Sequence, residues 1–233
     1  MTSARDRVLE LEARHLSDLS QAAAGLAHET RNPLGLVRGW TQRLAQSGLQ
    51  DAQQQEQARA VVEECDRVTA RINQFLSFAR PCRPQLQPVD PDELIAELAV
   101  LLEPDLEAKQ LKLHHSAVEP GKTIHVDREM FRQALFNLIG NAIQFSPEEA
   151  VVEISTQTGQ DGHGRIEVAD RGPGVPAEAV DQLFSPYFTT RPDGTGLGLA
   201  IVRRIATAHG WEAGHEPRPG GGSIFWLEEI HGQ

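Results

Sequence analysis

Between Arg80 and Pro91 the chain reads Arg-Pro-Cys-Arg-Pro-Gln-Leu-Gln-Pro-Val-Asp-Pro, four prolines in twelve residues. Proline has no backbone N–H and a fixed φ, so this stretch can be neither a continuous helix nor a central strand. It divides the 233 residues into two parts with different patterns. The predicted organisation is a helical hairpin over 1–80, a linker over 81–91 and a second domain over 92–233.

The first part has the spacing of packed helices. Leu16, Leu19, Ala23 and Leu26 follow a 3,4,3 rhythm, and Ala58, Val61, Cys65, Val68, Ile72, Phe75 and Ala79 keep the 3,4 alternation for three heptads. Gln46–Asp51 supplies a turn between the two helices. A lone hairpin buries one stripe per helix and is marginal, so two copies are expected to pair into a four-helix bundle.

The second part mixes periods. Helical patterns run through 92–109, 128–145, 177–184 and 199–209. Strand-like runs occupy Leu111–His115, Thr123–Val126, Val151–Thr156, Arg165–Ala169 and Ser223–Leu227. The order is not a strict strand–helix alternation, which favours an α+β two-layer sandwich with helices on one face of a sheet.

Composition narrows the function. A formal net charge of −11 argues against nucleic acid as a partner. Cys65 and Cys82 have no metal-ligand spacing and suit a reducing compartment. No apolar run approaches a membrane span, and the first residues are charged rather than signal-like. The segment is expected to be cytoplasmic without membrane contact of its own, with any sensor domain or anchor outside it.

Several residues carry chemical potential. With Leu16 at heptad position a, His28 falls at f, away from the seam, with Asn32 one turn on and Pro33 loosening the helix beyond. A helical histidine of this kind can also be a plain solvated residue. Over 128–145 Met130, Phe131, Ala134, Leu135, Leu138, Ile139 and Ala142 form a buried face, and Asp127 is placed to cap it. Opposite them Gln133, Asn137, Asn141 and Gln144 fall within an arc of roughly 80°, a stripe that also fits a solvated face. Asp170-Arg171-Gly172-Pro173-Gly174 follows a strand and can be a tight turn or a close backbone approach to a ligand. Gly194-Thr195-Gly196-Leu197-Gly198 opens a helix, where free N–H groups favour an anion. No Lys-Ser/Thr follows, so it is not a Walker loop, and no preceding strand or ribose acid suits a dinucleotide fold.

Taken in order, these strings resemble the sensor histidine kinases of two-component systems, from about Leu16 to Leu227. Ala27-His28-Glu29-Thr30-Arg31-Asn32-Pro33-Leu34 resembles the phospho-acceptor box. Asn137–Ser146 resembles the N box, Asp170–Val175 the G1 box, Leu183–Thr190 the F box and Gly194–Leu199 the G2 box of the GHKL ATP-binding domain. The resemblance implies a dimeric helical hairpin followed by a GHKL (Bergerat) sandwich, with ATP and Mg²⁺ as cofactors. It implies autophosphorylation of His28 and transfer to an Asp of a response-regulator receiver domain. Glu29 would orient the imidazole, Asn32 would position water for a phosphatase reaction, and Asn141 would supply an oxygen to Mg²⁺. Asn137 would lie beside the phosphates, and Asp170, Gly172 and Gly174 would receive the adenine. Arg191, Gly194, Thr195, Gly196, Leu197 and Gly198 would close on the phosphates.

The chain departs from that pattern where Gln144 replaces a basic residue and Phe145 a frequent Tyr. Trp211-Glu212-Ala213-Gly214 replaces a glycine-rich strand entry, and Glu228-Glu229 replaces a terminal Leu-Pro. Two alternatives stand beside the kinase reading. A GHKL-type ATPase would need a basic carboxylate where Asn137 stands and leaves the His28 box without use. A catalytically weakened dimeric scaffold would have no need of an intact Asp170, Asn141 and glycine set. His15, His114, His115, His125, His163, His209, His215 and His231 read as structural or solvated.

Overall fold

The computed structural model describes residues 33–45, 52–79, 82–117, 123–158, 164–191 and 194–229. His28, Glu29, Asn32 and the expected turn at 46–51 lie outside the described residues. The chain divides into two compact units, Met1–Pro81 and Cys82–Gln233. No described helix is long and apolar enough to cross a membrane.

In the first unit, helix α1 covers residues 33–45 and α2 runs Ala52–Ala79. The Arg38 guanidinium on α1 lies 2.9 Å from the Asp66 carboxylate on α2. The expected α2 seam is only partly covered within one chain: Ala58 and Cys65 are buried, but Val61 is 41% exposed. On α1, Val37 and Leu44 continue the seven-residue series of Leu16 and Ala23, with Trp40 between them. These three are 41%, 60% and 58% exposed. Among the described residues, α1 thus carries an exposed apolar stripe.

In the second unit the proline-rich stretch is not a free linker over its whole predicted length. Gln87–Val89 forms β1, antiparallel to β3 (Ile124–Val126), with Pro88 opposite His125. A two-stranded ribbon has two edges, and the proline costs no ladder bond when its missing N–H faces outward. Asp90 then caps α3 (Pro91–Leu101) by accepting from Asp92 N–H, and Pro91 occupies the first helical turn, where no N–H is needed. The helix expected over 92–109 is two: Pro104 restarts the chain as α4 (Glu103–Ala108).

The main sheet has the order β2–β4–β5–β7–β6. Its strands are β2 (Lys112–Ala117), β4 (Val151–Thr158), β5 (Gly164–Ala169), β6 (Trp211–Pro217) and β7 (Ser223–Glu229). Only β2 and β4 are parallel; the other pairs are antiparallel. The strand β6 was not expected. Its buried Trp211 and Ala213 alternate with Glu212 and Gly214, a period-2 signal that the departure from a glycine-rich entry masked.

Helices α5 (Arg128–Phe145) and α6 (Gly198–Ala208) carry most of the apolar layer. Phe131, Leu135, Leu138 and Ile139 of α5, and Ile201, Val202 and Ile205 of α6, are buried with Val152, Ile154, Ile166, Val168 and Leu227 of the sheet. Phe131 meets Trp211 edge-on at 5.2 Å. The alternate sheet positions Glu153, Arg165, Glu167 and Glu228 stay partly exposed, so the sheet is covered on one face, as expected. The segment expected as helix at 177–184 is a single 3-10 run, Ala177–Gln182.

Candidate nucleotide site

Helix α5 is pinned at both ends. At its start Asp127 Oδ1 accepts from Met130 N–H at 3.0 Å, and Oδ2 accepts from Gln85 N–H at 2.9 Å. Burial works to raise this carboxyl, but the hydrogen bonds from Gln85 and Met130 outweigh it and hold Asp127 below the usual carboxylate range. The imidazole of His209, at the end of α6, completes the knot: its Nε2 accepts from Asp127 N–H at 2.9 Å while Nδ1 faces Ile205 O at 2.7 Å. At the other end Lys109 Nζ donates to Ile143 O, Gln144 O and Ser146 O at 3.0, 2.7 and 3.2 Å. A cation there satisfies carbonyls that have no intrahelical partner and opposes the negative end of the helix dipole.

Between these anchors α5 presents its amide stripe. Asn137 and Asn141 are half-buried and Gln144 is exposed. The Asn137 side-chain nitrogen is fully buried yet has no hydrogen-bond partner. An unsatisfied donor at that depth costs free energy unless something arrives to accept from it.

Asp170 follows the last residue of β5 and is 3% exposed. Its Oδ1 accepts from Gly172 N–H at 2.7 Å and from Ser223 N–H at 3.2 Å. Its backbone N–H donates to Ser223 O at 2.9 Å. Burial pushes this carboxyl up, against the pull of those two N–H groups and the charges of Arg218 and His215. Both hydrogen bonds fall on Oδ1, which leaves Oδ2 as an acceptor for an incoming N–H. His215 on β6 is pushed down by burial, and Asp170 partly offsets that.

The glycines explain how closely the backbone approaches. A Cβ at Gly172 would stand 2.8 Å from Phe145 O, so the turn after Asp170 rests directly on the end of α5. A Cβ at Gly222 would stand 2.1 Å from Asp170 O, and Gly222 has φ +105. Gly174 has φ +79 and faces Gly222 O.

The remaining site residues come from the stretch between the 3-10 run and α6. Tyr187, at φ 65, donates its N–H to Gly196 O at 2.9 Å, and a Cβ at Gly196 would fall 2.4 Å from Tyr187 C. Gly194 N–H donates to Arg191 O at 3.2 Å. Leu197 N–H donates to Thr195 Oγ1 at 3.3 Å. Leu197 is buried and stands at the N-cap of α6, where no side chain caps the helix; Gly198 begins it. The Arg191 guanidinium lies over the Phe145 ring, 5.9 Å from its centre.

Residues expected from four separate strings therefore touch in a chain. Gly172 meets Phe145, Phe145 meets Arg191, and Arg191 meets Gly194; Gly196 meets Tyr187. Asn137 and Asn141 lie on the helix that ends in Phe145. The residues missed from the sequence are Ser223, Gly222, Arg218 and Lys109. The triple glycine 220–222, with φ of 82, 104 and 105, was the available signal for the first two. Arg218 and Lys109 act through main-chain carbonyls far away in sequence, which no local pattern reveals.

The comparisons with known proteins follow the same division. Residues 126–231 match the family described as histidine kinase-, DNA gyrase B-, and HSP90-like ATPase. Residues 18–81 match the His Kinase A (phospho-acceptor) domain. The sensor histidine kinase ZraS of Klebsiella oxytoca is 34% identical over 223 residues, 95% of this chain and 48% of that protein. The chain thus spans about half the length of this relative. The full-length kinase ShkA, solved with AMPPNP, superposes with a TM-score of 0.77 at 35% identity, over 90% of this chain and 45% of that one. The catalytic domain of the histidine kinase ThkA superposes with a TM-score of 0.57 at 32% identity, over 62% of this chain and 95% of that one. ThkA has also been solved with the response regulator TrrA, at 26% identity and a TM-score of 0.69, over 98% of this chain and 67% of that one. With both parts matched in order and the same box residues gathered around α5, β5 and α6, the chain belongs to the sensor histidine kinases of two-component systems.

Proposed function

We propose that this chain binds ATP in its second unit, transfers the γ-phosphoryl group to His28, and passes it to an aspartate of a response-regulator receiver domain. The observation that carries the proposal is the buried Asp170 carboxylate, with Oδ1 saturated by backbone N–H groups and Oδ2 left to accept. A carboxylate so arranged reads a donor on the ligand, and the purine 6-amino group is such a donor. The glycines at 172 and 222 let the backbone close in around Asp170, and Gly174 takes the positive φ of the turn, so the carboxylate is held in one place.

The phosphates would lie toward the uncapped start of α6. Free N–H groups near Gly198, with Gly194, Thr195, Gly196 and Leu197 before it, favour an anion there. The orphaned Asn137 amide nitrogen is a donor suited to a phosphate oxygen. Arg191 adds charge at the rim. Asn141 would hold Mg²⁺ by its carbonyl oxygen; one protein oxygen suffices for a hard cation whose other ligands are phosphate oxygens and water. When bound, that ion neutralises charge on the phosphates.

In the transfer a ring nitrogen of His28 bonds to the γ-phosphorus as the bond to the β–γ bridging oxygen breaks and ADP departs. Glu29 takes up the proton of the other ring nitrogen. Positioning and charge neutralisation supply most of the rate in such reactions. Asn32 would place water to hydrolyse the acyl phosphate of a phosphorylated receiver, releasing inorganic phosphate and the free aspartate. The uncovered stripe of Val37, Trp40 and Leu44 supports a homodimer through the N-terminal helices.

The test is incubation with γ-labelled ATP and Mg²⁺. The expected product is an acid-labile, base-stable phosphoprotein that is absent in His28→Gln, Asp170→Ala and Asn141→Asp. Label retained in His28→Gln would overturn the assignment of the acceptor.

A further inference from the structure

We propose that Arg218, braced by Glu153, is a positioning residue that holds Asp170 in register for the 6-amino edge of the purine. This rests on reading Asp170 as the base acceptor.

Arg218 is not part of the loop it serves. It follows β6, and its backbone N–H donates to Gly222 O at 3.2 Å, closing the turn into β7. Its side chain turns back and is 7% exposed. There Nη1 donates to Asp170 O at 3.0 Å and Nη2 to Glu153 Oε2 at 2.5 Å. Glu153 stands on β4 opposite Ala169, the residue just before Asp170. One planar cation therefore links the β6–β7 turn, the neighbouring strand and the main chain of the base-reading residue.

Burying a guanidinium is costly, and a buried ion pair is a poor device for raw stability. It is a good device for fixing one geometry, because the rigid fork satisfies two acceptors only in one orientation. The Asp170 carboxylate is already held by Gly172 and Ser223, and Ser223 follows directly on the turn that Arg218 closes. Moving the Asp170 carbonyl away from Arg218 would shift both the carboxylate and one of its donors. The Glu153 carboxyl is held below its usual range chiefly by the hydrogen bond from Arg218, so the brace is charged at neutral pH. A lysine would keep the charge but reach only one acceptor well.

The experiment measures equilibrium binding of ATP and of inosine triphosphate, which carries a 6-oxo group in place of the amino group, to the full chain. The unsubstituted chain is expected to prefer ATP. Arg218→Met is expected to bind ATP about tenfold less tightly, the scale of one lost charge-assisted bond, with inosine triphosphate nearly unaffected. Arg218→Lys should retain the fold but show the same collapse of preference. A full ATP preference in Arg218→Met, or an equal loss for both nucleotides, would overturn the proposal, the second outcome marking a purely structural role. If Arg218→Met does not fold, Glu153→Gln is judged by the same two criteria. Asp170→Asn separates the layers. If it leaves the ATP preference intact, the reading of Asp170 fails. If it abolishes the preference while the Arg218 variants keep it, only the brace is wrong.

Discussion

Replacing Lys109 should destabilise the second unit. The Lys109 ammonium converges on three carbonyls at the C-terminal end of α5, at 2.7 to 3.2 Å. A hydrogen bond to a charged group is worth about 1.5–3 kcal/mol, and a cation at a helix C-terminus about 0.3–1 kcal/mol. The three acceptors share one partly hydrated ammonium, so the terms do not add threefold. Lys109→Met keeps the apolar stem and removes only the charge and the donors, and is expected to cost about 2 kcal/mol. In a unit of about 150 residues this lowers Tm by roughly 4–8 °C. Urea unfolding followed by tryptophan fluorescence, to which the buried Trp211 contributes, reads the change as a shift in midpoint with an unchanged slope. Lys109→Arg should fall between the two, because a planar fork cannot converge on three carbonyls as an ammonium does. A loss below about 0.5 kcal/mol, the scale of an ordinary surface charge, would mean that water satisfies these carbonyls and that the argument is wrong.

Gly222→Ala places a Cβ 2.1 Å from Asp170 O at a φ of +105, and is expected to destabilise the second unit by about 1–3 kcal/mol. It should also weaken ATP binding; an unchanged melting temperature would contradict the close approach. Because burial raises Asp170, ATP affinity should fall on acidification at a higher pH than an ordinary carboxylate would set. The sign for stability is opposite: keeping Asp170 ionised costs stability above its raised pKa, and that cost is relieved as pH falls through it. Titrating affinity beside thermal stability separates loss of binding from unfolding. Leu44→Glu puts a charge into the uncovered α1 stripe and should shift the chain toward monomer in sedimentation; no shift would remove that stripe from the dimer interface.

Much of the fold was legible because its signals are local. The period of α5, the Asp127 cap and the strand runs of β4, β5 and β7 all lie within short windows, and the structure places them within a few residues of expectation. The failures have physical causes. Pro104 marks a helix start, but the apolar period continues across it, so α3 and α4 read as one. Gln87–Val89 lies among prolines that forbid a central strand but not an edge, so β1 was absorbed into the linker. The site was legible where a residue announces itself through its neighbours, as with Asp170 among its glycines. It was illegible where a long side chain crosses the fold to a carbonyl, as Arg218 and Lys109 do. His28, Glu29 and Asn32 fall outside the described residues; their roles are implied by the resemblance, and the labelling experiment tests that of His28.

Among the described residues, β2 and β4 form the one parallel pair of the main sheet. Parallel neighbours cannot be joined by a tight hairpin, so everything between β2 and β4, α5 included, forms the crossover that lets them meet. The amide-bearing helix is thus carried inside the crossover, with its apolar face buried against the sheet. Among the described residues, the stretch from Gly172 to Leu197 pairs in no ladder and holds turns and one short 3-10 run. Backbone amides there should exchange with solvent long before those of α5, so that one side of the candidate site stays fixed while the other adapts to what binds.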